Sequence, residues 1–382
     1  MSAKLRVLVL GAGFGGLELS TILSEKLGDQ LDLTLIDQSD SFFFGFSKFD
    51  VMFNRKSSEG VRIHYKNINK PGVRFICKTI SRIDPILRRI HTSDESIYEA
   101  DILVVALGAD YDIGATPGLA TGGNEFYSFE GALRLREALP HFSSGNVIIG
   151  VCSAPFKCPP APSEAALLMH DYLVHRRIRQ RCTISLVMPF GLPIPPSPDT
   201  SLALIDEFSR CNIRYIPKHV VKSIDPESST AILDDGQQLP FDLFLGIPKH
   251  CAPNVVLESG MTVNGWIPVS KTNFMTQYPG VYAIGDVTSV GTPKAGVFAE
   301  GAAKVAAASI IAEFEQGQMP EPYQGNGICY IEFGEGRVGK VSVNFFSGPK
   351  PSGTYTPAST SIAADKDYFG SSRLKRWFGT SS

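Results

Sequence analysis

The sequence predicts an α/β fold made of two parallel-sheet units, the second inserted into the first, with a further segment at the C-terminus. Three observations predict it. The chain opens on a buried strand, a glycine turn and a helix in "KLRVLVLGAGFGGLELSTILSEKL". A second strand–helix–strand run, from "NVIIGV" to "TISLVMPF", lies mid-chain. Far downstream, "TQYPGVYAIGDV" supplies one more short apolar strand of the first unit.

Each element follows from its residues. In "GAGFGG", Gly11, Gly13 and Gly16 give the G-x-G-x-x-G spacing around Phe14, and the next strand, "LDLTLIDQSD", ends on Asp37. Strand, helix and acid in that register form a Rossmann-like dinucleotide site: the glycines let backbone N–H groups approach a pyrophosphate, and Asp37 accepts from a ribose. "ADILVVALGADYD" is a strand ending at a turn on Gly108, where the chain can leave one domain for another. After the insertion, "YAIGDV" closes on Gly285 and Asp286, an acid placed to bond a ribityl chain, which points to FAD. The helix after "TPKAG" begins near Lys294 and Ala295 and turns its positive end toward the flavin. The expected domains are residues 1–110 with 246–320 for FAD, 111–245 for the second Rossmann-like unit, and 321–382 for the C-terminal segment.

The second unit keeps the plan of a nicotinamide site without its chemistry. "GVCSAPFKCPPAPSE" replaces the second glycine loop, and the strand "SLVMPF" ends in Pro189 and Phe190 where a ribose acid would stand. Electrons are therefore expected to reach the flavin by another route. Composition excludes other classes. The formal net charge of −2 gives no reason to expect a nucleic-acid partner. No apolar run approaches the roughly 20 residues that span a bilayer, and the N-terminal apolar run is too short for a secretory signal. The cytoplasm is the expected compartment. Seven cysteines without a signal peptide do not read as a disulfide framework. Cys77 and Cys182 read as core packing, and no cysteine spacing suggests a metal.

In the order "GAGFGG", "VVALGA", a cysteine–proline segment, "YAIGDV", "PKAGVFAEGAAKVAA" and "CYIEFGEG", the chain resembles the sulfide:quinone oxidoreductase and flavocytochrome c sulfide dehydrogenase family of the FAD-dependent pyridine nucleotide-disulfide oxidoreductase superfamily. The resemblance implies an enzyme in which Cys158 and Cys329 form a redox pair that takes up sulfide or another small sulfur species. It implies that Glu164 accepts a proton, that Lys294 lies near the flavin–quinone contact, and that a quinone receives the electrons. Sulfide attack on a disulfide expels a thiolate, and the helix beginning near Ser163 favours that thiolate at Cys158.

Departures from the family sharpen the expectations. "SFFFGFSKFDVM" lacks the cysteine that anchors FAD covalently in flavocytochromes, so FAD is expected to be non-covalent. "TGGNEFYSFEGAL" lacks a third family cysteine, for which Cys152 is a candidate, and the family histidines have no counterpart in "VMPFGLPIPPSPD". "RLKRWFG", Arg373–Gly379, places Leu374, Trp377 and Phe378 on one helical side, as in a peripheral helix on the inner face of a membrane or a helix docked on the protein itself. Phe345 and Phe346 are candidates to line a quinone channel or to pack in the core. A type II NADH dehydrogenase-like flavoprotein and a non-catalytic redox sensor are the alternatives. The chain is compatible with a homo-oligomer.

Overall fold

The computed structural model describes residues 4–379. Two five-stranded parallel sheets organise it. The first has the order Val281–Ala283, Ile102–Val105, Leu5–Leu10, Leu31–Asp37 and Val73–Cys77. Its central strand is apolar on both sides: Val7 and Val9 join one buried cluster, Leu8 and Leu10 another on the opposite face. A strand covered on both faces has to read as a continuous hydrophobic run, which "RVLVL" does. The helices Phe14–Leu27 and Gly296–Glu315 pack against each other on one face.

The second sheet has the order Asn124–Glu125, Leu243–Ile247, Gly145–Val151, Cys182–Met188 and Ile213–Pro217, again parallel. Val147, Ile149 and Val151 face one core and Ile148 the other. The chain passes out to this sheet along Asp110–Asp112 and returns along Lys249–Cys251, and these two short strands pair antiparallel. The intervening helix is Ala161–His175, which starts two residues before the expected Ser163.

The C-terminal segment is a three-stranded antiparallel sheet, Asn326–Gly334, Arg337–Asn344 and Ser352–Ser359, followed by the helix Thr360–Phe378. The amphipathic tail is the last two turns of that helix. Its apolar residues are not offered to a membrane: Trp377 and Phe378 are buried against the first unit. The Trp377 ring meets Phe14 edge-on at 5.2 Å, and its Nε1–H donates to the buried Glu18 at 2.7 Å. Arg376 donates to the same carboxylate at 2.9 Å. Exposing such an anchor forfeits packing on the scale of about 3–5 kcal/mol, so the docked arrangement wins. Among the described residues no helix is long and apolar enough to cross a membrane.

Candidate cofactor and cysteine site

A cavity of about 710 Å³ is lined by the glycine turn of the first sheet, by the loop and helix after the strand Gly145–Val151, and by the C-terminal sheet and helix. The glycine turn is shaped by close contacts. Gly11 sits at φ +98°, and a Cβ there would meet the Ala106 carbonyl oxygen at 2.4 Å. A Cβ on Gly16 would lie 1.9 Å from the Gly11 oxygen. Gly16 is not among the residues lining the cavity and serves the close packing of the turn itself. Gly13, by contrast, has nothing within 4 Å of where its Cβ would be, and caps the helix Phe14–Leu27 without a side-chain partner. Free first-turn N–H groups facing a cavity suit an anion.

Asp37 accepts from the backbone N–H groups of Ala12 and Ser39, both at 2.8 Å. Burial raises its pKa while those bonds work against the rise. Gly108, Gly285, Asp286 and Ala295 line the same cavity as Gly11, Gly13, Phe14 and Asp37. Ala295 caps the helix Gly296–Glu315, again without a side-chain partner. Desolvation raises the pKa of the half-buried Asp286, and Lys157 and Lys294 oppose the rise. Two uncapped helix starts and two half-buried carboxylates around one cavity fit FAD.

Cys158 and Cys329 come from different units and line this cavity together, with Glu164. Cys158 holds a left-handed φ of +52° at the end of the proline-rich loop. Its N–H donates to the Lys294 carbonyl and its own carbonyl accepts from Ala161, each at 2.8 Å. Cys329 lies on the strand Asn326–Gly334. Both are free thiols here. Burial pushes the Cys158 thiol well above its ordinary value, and the neighbouring Cys329 and Glu164 add to that. Burial likewise pushes Cys329 up to about 12.

Three charged residues close the site without having stood out in the sequence. Glu164 accepts from the backbone N–H of Glu332 at 3.1 Å. Lys366, on the C-terminal helix, donates to Glu332 at 2.6 Å and stands 3.6 Å from Glu164. Arg55 pairs with Glu332 at 2.5 Å. Of the three, Glu332 alone had a signal that could have found it: an acid inside the apolar strand "CYIEF" needs partners.

Other expectations move. The Lys294 amino group does not line the large cavity: it donates to the Asp286 carbonyl at 2.5 Å and lies over the Trp266 ring at 3.2 Å. Cys152 is buried in the core on the opposite face of the second sheet, away from the cysteine pair. Cys182 is buried as expected, whereas Cys77 is exposed at the end of the edge strand. Phe345 packs on Phe298 and Phe346 under Lys271, and neither lines the cavity.

No family model matches the chain. The mitochondrial sulfide:quinone oxidoreductase of Mus musculus is 24% identical over 372 residues, covering 90% of this chain and 79% of that protein. The structure of the sulfide:quinone oxidoreductase from Aquifex aeolicus superposes with a TM-score of 0.87, covering 98% of this chain and 92% of that one at 22% identity, a likeness of fold. The chain is a homologue of the sulfide:quinone oxidoreductases. That places it among the FAD-dependent oxidoreductases of the disulfide oxidoreductase superfamily. A type II NADH:quinone oxidoreductase of Staphylococcus epidermidis is 35% identical, but over only 112 residues, 27% of this chain.

Proposed function

We propose that this homologue is a sulfide:quinone oxidoreductase that oxidises sulfide at Cys158 and Cys329. The observation that carries the reading is the meeting of two cysteines from separate units, with a buried carboxylate, in the cavity whose other residues fit FAD. In the oxidised state the two sulfurs form a disulfide. Hydrosulfide attacks one sulfur, a new S–S bond forms, and the original S–S bond breaks to release the other cysteine as a thiolate. Glu164 takes the proton of the resulting persulfide. The thiolate carries the electron pair on, and the sulfide sulfur stays behind at the sulfane level, two electrons more oxidised. Bound FAD supplies a two-electron acceptor that a quinone can reoxidise.

Ile328, 38% exposed, lies on the cavity rim with Phe46 and Phe369, and the buried Lys366 also lines the cavity. An apolar rim with one buried ammonium suits a quinone ring and its carbonyl. We place this opening at the inner face of a membrane, with contact made around the rim rather than through Trp377 and Phe378. Cys158 and Cys329 are the only cysteines, and no histidine is found, among the described residues lining the cavity. That supports non-covalent FAD.

Purified protein is expected to reduce a soluble quinone with sulfide at steady state, and acid precipitation is expected to leave the yellow colour in the supernatant. Absence of turnover would favour a redox sensor, and colour in the pellet would overturn non-covalent binding.

A further inference from the structure

The charge cluster behind the cysteines is built asymmetrically. Glu164 is 2% exposed and faces two positive groups, Lys366 and Arg55, and one negative group, Glu332. Its remaining titratable neighbours are Cys158, Cys329 and Tyr127. A direct Lys366–Glu164 ion pair would be the obvious arrangement. Instead Lys366 stands at 2.6 Å from Glu332 and 3.6 Å from Glu164. Glu332 is fixed from its other side by Arg55, which donates to both its oxygens at 2.5 and 3.0 Å. Arg55 is itself anchored on Asp50 at 2.9 Å. Glu164 is left with one backbone N–H donor at 3.1 Å.

We propose that Glu332, clamped by Arg55, is a positioning residue that draws Lys366 away from Glu164 and so keeps Glu164 able to hold a proton. The proposal rests on the reading of Glu164 as the proton acceptor for the cysteine pair. Its electrostatics have one sign. Burial raises the Glu164 carboxyl, Lys366 opposes that, and the Glu332 charge adds to it. Glu332 goes the other way: burial alone would raise it, but Arg55 and Lys366 outweigh burial and hold it low. Only one of the two neighbouring carboxylates is thus poised to exchange a proton, the usual outcome when such acids sit in unequal surroundings.

The test is the acid limb of kcat/KM against pH for sulfide-dependent quinone reduction, measured on the FAD-loaded full chain. Glu332→Gln removes the like charge and frees Lys366 and Arg55 to favour the Glu164 carboxylate. The limb should move to lower pH by about one unit or more, the size of shift that a nearby opposite charge produces. Glu332→Asp should keep it near its original position. Arg55→Gln, at an exposed position, removes a positive charge near Glu164 and should move the limb upward. If neither Glu332→Gln nor Arg55→Gln moves the limb, while Glu164→Gln removes it, the positioning role is wrong and the Glu164 reading stands. If Glu164→Gln leaves the limb in place, the reading of Glu164 itself has failed.

Discussion

Cys158→Ser and Cys329→Ser are each expected to abolish sulfide-dependent quinone reduction, by on the order of a thousandfold or more, while FAD stays bound. The size follows from the two sulfurs acting as one unit: with either missing there is no disulfide to attack and no thiolate to expel. The double variant should be no worse than either single one, since removing half of a pair already removes its function. FAD should survive because the residues that would hold it, at the glycine turn, Asp37, Asp286 and the helix start at Ala295, line other parts of the cavity. Cys152→Ser and Cys182→Ser provide the contrast. Both thiols are buried in apolar clusters, each against one backbone carbonyl, Gly150 for Cys152 at 3.7 Å and Ile178 for Cys182 at 3.4 Å; a more polar hydroxyl in those surroundings costs stability, about 1–3 kcal/mol, with turnover retained. Full sulfide turnover in Cys329→Ser would leave the resemblance true of fold and cofactor only.

NADH and NADPH are expected to reduce the flavin about a hundredfold more slowly than sulfide or worse. A tenfold rate ratio corresponds to about 1.4 kcal/mol, and the second sheet lacks several contacts that a nicotinamide nucleotide would use. Its central strand Gly145–Val151 runs into the buried Cys152 rather than a glycine turn. A Cβ on Gly150 would already meet the Phe244 ring at 2.8 Å, so that glycine serves core packing. Pro189 stands where a ribose acid is needed. Phe156 and Phe190, from the loops after adjacent parallel strands, stack at 6.1 Å over the edge where phosphates would lie. Stopped-flow mixing with micromolar NADH checks this, and rapid bleaching would reinstate the second unit as a nicotinamide site.

The elements that the sequence made legible are those whose chemistry is local. Gly11, Gly13 and Asp37 are tied to one turn and one strand, so spacing alone located them, and the apolar strands of both sheets followed from their hydrophobic runs. Position across the fold was less legible. Glu332 and Lys366 are 34 residues apart and meet only because the C-terminal helix folds back on the strand Asn326–Gly334. Lys294 sits beside the cofactor residues in sequence, but its long side chain swings onto Trp266, a choice the backbone does not dictate. The tail reads as amphipathic whether its apolar side meets lipid or protein. Only Glu18, a buried acid on the glycine helix with Trp377 and Arg376 as donors, decides for protein. Cys77 misled because an apolar run at an edge strand still leaves its last side chain exposed.

Anaerobic addition of sulfide to the purified yellow protein, followed by flavin absorbance, tests the central claim most directly. The account predicts rapid bleaching by sulfide in the wild-type protein, recovery of the yellow colour on adding a soluble quinone, and no bleaching in Cys158→Ser. A flavin that stays oxidised under sulfide, or one that bleaches equally well without Cys158, would contradict it.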